Sequence, residues 1–173
     1  MSNTDPTAKL GKYFIWFAWI IVLGLLIFIF QTVLDQQENP NSNPDFSLNA
    51  QGKAEVVLQQ NRQGHYVTSG TINEIPVVFL LDTGATQVSI PAQVADQLSL
   101  TTTGQGIANT ANGQVKIYHT RIDQLSIGNI YLYNVRAHIN PGMKSNEILL
   151  GMSALKQLEF SQTGKKLILR ERN

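Results

Sequence analysis

The stretch Tyr13 to Phe30, YFIWFAWIIVLGLLIFIF, carries no charge over eighteen positions, and extended to Leu34 the run is 22 residues long. As a helix rising about 1.5 Å per residue it reaches roughly 33 Å, which matches a hydrocarbon core of about 30 Å. It is apolar on every face, whereas a helix of a soluble domain keeps a polar side. A cleaved signal peptide has an apolar region of about 7–15 residues followed by a small-x-small site. The sequence QTVLDQQEN after Phe30 offers no such site. Tyr13, Phe14, Trp16, Phe17 and Trp19 crowd one end, as aromatic side chains do at a bilayer interface. The expectation is a transmembrane helix over residues 13–34, in contact with lipid. Lys9 and Lys12 precede it, and Asp35 and Glu38 come after it. Positive charge stays on the cytoplasmic side, so residues 1–12 are expected in the cytoplasm and the rest across the membrane.

Beyond the span the chain changes character twice. Residues 35–50, DQQENPNSNPDFSLNA, are rich in Asn, Gln, Pro and Ser and offer little to a core. Residues 35–53 therefore read as a flexible linker, whose first sixteen residues would reach about 55 Å fully extended. From Ala54 short β-rich runs take over: 54–60, 65–72 and 75–82, with Asn73-Glu74 as a turn between the last two. Pro91 opens a short helical pattern, PAQVADQL. Strands are expected over 114–128 and 130–139, joined at Gly128-Asn129, and over 147–151. Residues 152–160 show helical spacing at Met152, Leu155 and Leu158, and KKLILRE reads as a last strand. Residues 54–173 thus form one mainly β domain with one or two short helices.

Composition narrows the chemistry. Net charge is +1 and charged residues make up 14%, with no basic run beyond Lys165-Lys166. Nothing here suits nucleic acid as a partner. Cysteine is absent, which excludes disulfides, thiolate catalysis and zinc–sulfur sites. The three histidines, His65, His119 and His138, lack metal-ligand spacing and read as surface or half-buried strand residues. No metal site is expected.

The chemistry-bearing stretch is VVFLLDTGATQVSIP, Val77 to Pro91. Asp82 ends an apolar strand, where burial of a carboxylate is costly unless hydrogen bonds satisfy it. Gly84 lets the chain turn sharply and bring backbone N–H groups to that carboxylate. The plainer reading is a strand-to-turn junction in which Asp82 caps the turn, since Asp, Thr and Gly are all common in turns.

The context goes further. FLLDTGATQVSIP resembles the active-site loop of retropepsins, the single-domain aspartic proteases of retroviral type. The family's second signature, two hydrophobic residues and a glycine before a short helix, is matched by EILLGMSALKQLEF. There Leu149, Leu150 and Gly151 lie near the end of the domain, with Gly151 67 positions beyond Gly84. Between the two signatures the family carries a hairpin flap, and GIANTANGQVKI (106–117) fits, with Asn112-Gly113 as a two-residue hairpin signal. The resemblance covers residues 54–170 and is nearest to bacterial membrane-anchored members.

The resemblance implies a retropepsin-like closed β-barrel, half of an acid protease, that cleaves a peptide or protein substrate. Asp82 would be catalytic, with Thr83 and Gly84 supporting its loop. Ala85, Thr110, Ala111, Asn112 and Gly113 would meet the substrate, and Leu149, Leu150 and Gly151 would be structural. The mechanism needs two carboxylates and a water, with no metal or organic cofactor. Asp-Thr-Gly occurs once, so a homodimer with one site per dimer is implied. By the same likeness the protein would sit in a bacterial inner membrane with its protease domain periplasmic. The alternative is a catalytically silent module that keeps the fold and binds peptides or assembles at the membrane. A serine hydrolase does not fit, because no Gly-x-Ser-x-Gly elbow is present.

Overall fold

The apolar run forms one continuous helix, α1 (Pro6–Glu38), in the computed structural model. The structure describes residues 6–48, 52–110 and 113–172, with backbone only for 6–10 and 12. From Tyr13 to Phe30 the large side chains of α1 are all exposed. A helix so long and so apolar meets the length and composition needed to cross a membrane. Residues 1–37 and 38–173 form two separate compact units.

The second unit is mainly β and is built on two sheets. In chain order its elements are β1 (Asp45–Leu48), β2 (Ala54–Gln59), β3 (Val67–Ile72), β4 (Ile75–Leu81), β5 (Val88–Pro91) and α2 (Ala92–Gln97). Next come β6 (Gly104–Thr110), β7 (Gly113–Ile127), β8 (Ile130–Asn140), β9 (Ile148–Leu150), α3 (Met152–Leu155), β10 (Leu158–Thr163) and β11 (Lys166–Glu171). The larger sheet runs β3-β4-β9-β5-β8-β7-β6, and β3 also pairs with β7. That second pairing, Thr71 opposite Ser126 and Ile72 opposite Leu125, closes six strands into a barrel and leaves β6 on its outer edge. Closure brings backbones together at Gly70, where an added Cβ would overlap the Ser126 carbonyl oxygen of β7 and lie 2.8 Å from the Phe79 ring. Only glycine fits there without displacing the core.

Local turns arise from residue type. Asn73 and Glu74 both take positive φ, 48° and 69°, the geometry of a tight two-residue hairpin turn that matches strand twist. At the β7–β8 turn Gly128 has φ of 56°, and the two long strands pair in register from Ile127–Ile130 to Tyr118–Ile139.

The smaller sheet runs β1-β2-β11-β10, all antiparallel. β2 alternates buried and half-buried positions, so Ala54, Val56 and Leu58 face inward with Leu167 and Leu169 of β11. They share one core with the barrel residues Phe79, Ile90, Ile122, Ile148 and Leu150. Each large side chain buried there contributes about 1.5–3 kcal/mol of transfer free energy.

Three stretches differ from what periodicity suggests. Residues 35–53, expected as a linker, hold the end of α1 and strand β1, and Asn41 is buried. The Asn41 amide donates to the carbonyls of Val67 (2.6 Å) and Gln59 (2.9 Å), and its Oδ1 accepts the Gln59 N–H (2.6 Å). A polar segment is ordered here by satisfying strand-end groups rather than by burying apolar surface. The helical spacing over 152–160 is helical only through Leu155, because Leu158 begins a strand paired with β11. Pro91, expected to open a helix, instead ends Val88–Pro91, a buried strand held by β8 and β9, and α2 starts at Ala92.

Candidate active site

The loop after β4 is placed by its neighbours in the barrel. β4 runs parallel to β9, with Leu80 beside Leu149 and Leu81 beside Leu150. The Asp82 N–H donates to the Leu150 carbonyl (3.2 Å), so the strand pairing ends at the acid itself. The chain then turns. The Gly84 N–H donates to Asp82 Oδ1 (2.8 Å) and the Ala85 N–H to the Asp82 carbonyl (3.2 Å). One carboxylate oxygen is thereby fixed by the backbone, the arrangement that lowers the cost of partial burial. Asp82 is half-buried, while Thr83 and Gly84 are exposed.

The second motif supports this loop from beneath. The Met152 N–H donates to the Ala85 carbonyl (2.8 Å). A Cβ added to Gly151 would overlap the Gln87 carbonyl oxygen and lie 2.6 Å from that of Ala85. The glycine is needed so that the loop backbone can rest directly on the start of α3. Ser153 ties the far side, accepting the Val88 N–H (3.0 Å) and donating to the Arg136 carbonyl (2.6 Å). Leu150 is fully buried beneath the loop and Leu149 faces the cleft above it.

That cleft encloses about 730 Å³ between the Asp82 loop and the β6–β7 hairpin. Asp82, Gly84 and Ala85 form its floor, and Ile107 to Thr110 of β6 with Ile117 and His119 of β7 line the other side. A cavity of this size holds a short peptide stretch. Asp82 is the one acid among the described residues lining it. Of the residues expected to meet substrate, Ala85 and Thr110 line the cleft. Gly113 starts β7 with φ of 107°, and its carbonyl accepts the Thr110 hydroxyl (2.8 Å). Ala111 and Asn112 lie outside the described residues.

Sequence reasoning read His119 and His138 as surface or half-buried strand residues and gave them no part in the site. His119 and His138 are directly opposed across β7 and β8, and both are half-buried in the cleft wall. Burial, and secondarily the neighbouring His119, hold the His138 pKa below the ordinary histidine value. Their meeting was legible in principle, because both stand nine residues from the Gly128-Asn129 turn. No group of three or more His, Cys, Asp or Glu among the described residues could hold a metal ion.

Comparison with known proteins agrees with this geometry. Residues 68–157 match the family of gag-polyprotein putative aspartyl proteases. An uncharacterized protein of the cobV 5′ region of Sinorhizobium sp. is 32% identical over 116 residues, covering 65% of this chain and 50% of that protein. An uncharacterized protein of Rickettsia prowazekii (strain Madrid E) is 25% identical over 119 residues, covering 66% of this chain and 50% of the other. The chain thus spans about half the length of the curated relatives it matches. The crystal structure of a retropepsin-like aspartic protease from Rickettsia conorii superposes with a TM-score of 0.55 at 27% identity. That match covers 66% of this chain and 98% of that structure.

Proposed function

The chain belongs to the gag-polyprotein putative aspartyl protease family and has a retropepsin-like fold, and from this we propose that it is a membrane-anchored aspartic endopeptidase completed by two copies of Asp82. One observation carries the reading. A single backbone-held carboxylate stands on an exposed loop at the floor of a peptide-sized cleft, with no second acid among the described lining residues. A second copy related by a two-fold axis supplies the missing acid, giving one site per dimer.

Two carboxylates about 3 Å apart cannot both ionise readily, so the pair shares one proton and titrates as a unit. The ionised Asp82 takes a proton from a water held between the two. The resulting oxygen nucleophile attacks the scissile carbonyl carbon, while the partner's Asp82, protonated, donates to the carbonyl oxygen. Collapse of the tetrahedral diol breaks the C–N bond, and the amine leaves with a proton returned by the dyad. The Gly84 N–H keeps the carboxylate in one plane throughout, a preorganised arrangement that needs no rearrangement during reaction. Thr83, exposed beside Asp82, holds the loop against its mate, and Ala85 with the 110–113 turn contacts an extended substrate by strand-like hydrogen bonds. α1 anchors the enzyme in a bacterial inner membrane with the protease domain on the periplasmic side, confining both partners to a surface and raising their effective concentration.

The test is the full chain in detergent, assayed from about pH 3 to 7 against a mixed peptide library, beside Asp82→Asn. Cleavage by the native protein and its loss in a folded variant is the expected result. Equal cleavage by the variant rejects the carboxylate mechanism. A folded native protein that binds peptides without cutting them is the silent binding module instead.

A further inference from the structure

The cleft holds three titratable groups among its described lining residues, and two of them are histidines. His119 comes from β7 and His138 from β8, as a directly opposed cross-strand pair. Such pairs bring Cβ atoms to about 4.5–5.5 Å, close enough for one small group to bridge both rings. Apart from Asp82, the rest of the described lining is uncharged. β5 contributes Ser89, placed beside His138 in the parallel β5–β8 pairing, and β8 adds Asn140. β6 and β9 add only neutral side chains, so Asp82 at the end of β4 is the sole acid facing the pair among the described lining residues.

The ring of His119 also packs against backbone. An added Cβ on Gly106 would lie 2.7 Å from its Nε2, so β6 passes directly over the imidazole. The backbone of His119 is held as well, its carbonyl accepting the Thr103 N–H (2.8 Å). His119 is thus packed into the cleft wall under β6, and the lining near the pair mixes polar Ser89 and Asn140 with apolar Ile107 and Ile117.

We propose, resting on the peptidase reading above, that His119 and His138 form an acid-selective subsite that receives a Glu or Asp side chain of the substrate. The chemistry is direct. A carboxylate accepts hydrogen bonds from two imidazolium or imidazole N–H groups, and charge-assisted bonds of this kind are the stronger class. Without an anion, two adjacent imidazolium groups repel, and burial adds to the cost of charging His138. A substrate carboxylate between the rings removes that repulsion, so binding takes up protons. The preference for acidic over neutral side chains is strongest in acid and fades as pH rises and His138 stays neutral.

The experiment uses the full chain in detergent with fluorescent peptides that differ only by Glu or Gln at one position at a time, at pH 5 and pH 8. Binding is read by anisotropy on Asp82→Asn protein, where nothing is cut, and cleavage is read on protein with Asp82 intact. Each readout is repeated with His119→Gln and His138→Gln together. The expected result is a Glu-over-Gln ratio of about tenfold at one position at pH 5, falling toward one at pH 8 and toward one in the double variant. A ratio near one in the native background, a ratio unchanged by the histidine substitutions, or binding of neither peptide overturns the subsite. Loss of cleavage with the histidine-dependent binding ratio kept would sink the peptidase reading and leave the subsite standing. Asp82-dependent cleavage with no histidine effect does the reverse.

Discussion

At Gly151 the chain has no room for a side chain, because the carbonyls of Ala85 and Gln87 occupy the place of a Cβ. Gly151→Ala is therefore expected to push the Asp82 loop off its support and cost at least about 1–3 kcal/mol, the range for overpacking a tight contact. Chemical denaturation measures the stability, and an unchanged midpoint rejects the argument. His138 gives a prediction with a sign. Its folded-state pKa is lowered by burial and by His119, so the unfolded chain binds a proton more readily. Above the ordinary value of about 6.5 both states are neutral and nothing is lost. As pH falls below it, the unfolded state gains protons first and the fold is penalised, until the folded group also charges. His138→Gln is expected to narrow the fall in melting temperature between pH 7.5 and pH 5 relative to the native protein. A fall of equal size in both proteins contradicts it. At this scale the sequence shows Asp82, Gly84 and Gly151 openly, because a spaced motif carries them. The histidine pair is less visible, since its meeting depends on register.

Among the elements, the strands flanking the Asp82 loop were the most legible. VVFLL and EILL are short apolar runs that end in turn residues, and both are strands in the barrel. Their parallel pairing was not legible, since parallel partners meet through long connections that leave no local pattern. β1 was hidden for another reason. It is exposed along its whole length and is held by pairing with β2 and by the Asn129 amide, which donates to the Ser47 carbonyl (3.1 Å), rather than by hydrophobic patterning. Asn41→Ala is expected to leave the Gln59 N–H and the Val67 carbonyl short of partners and to cost about 2–4 kcal/mol from the loss of several hydrogen bonds. A soluble fragment of residues 38–173 should accordingly melt several degrees above one of residues 54–173. Equal melting temperatures would mean that this segment adds nothing. The expected helix over 152–160 failed at Leu158 because a spacing of three is shared by a helix and by the end of a helix followed by an inward-facing strand residue.

For the molecule as a whole, the question is whether two copies meet. If the site is shared, specific activity falls on dilution in detergent, and more steeply for a fragment without α1 than for protein held in a bilayer. Activity strictly proportional to protein concentration down to the lowest measurable level rules out a shared dyad. The smaller sheet bears on the same point. β11, the last strand of the chain, lies between β2 and β10 with both of its edges paired inside one protomer. No strand of a second copy is required to finish that sheet. If a single protomer folds without its mate, folding and assembly are separate events, unlike an obligate dimer whose single chains have no stable fold. On that reading a newly inserted copy would be folded yet idle in a sparse membrane. Under the shared-site reading, crowding of copies in the bilayer would then act as the signal that turns activity on.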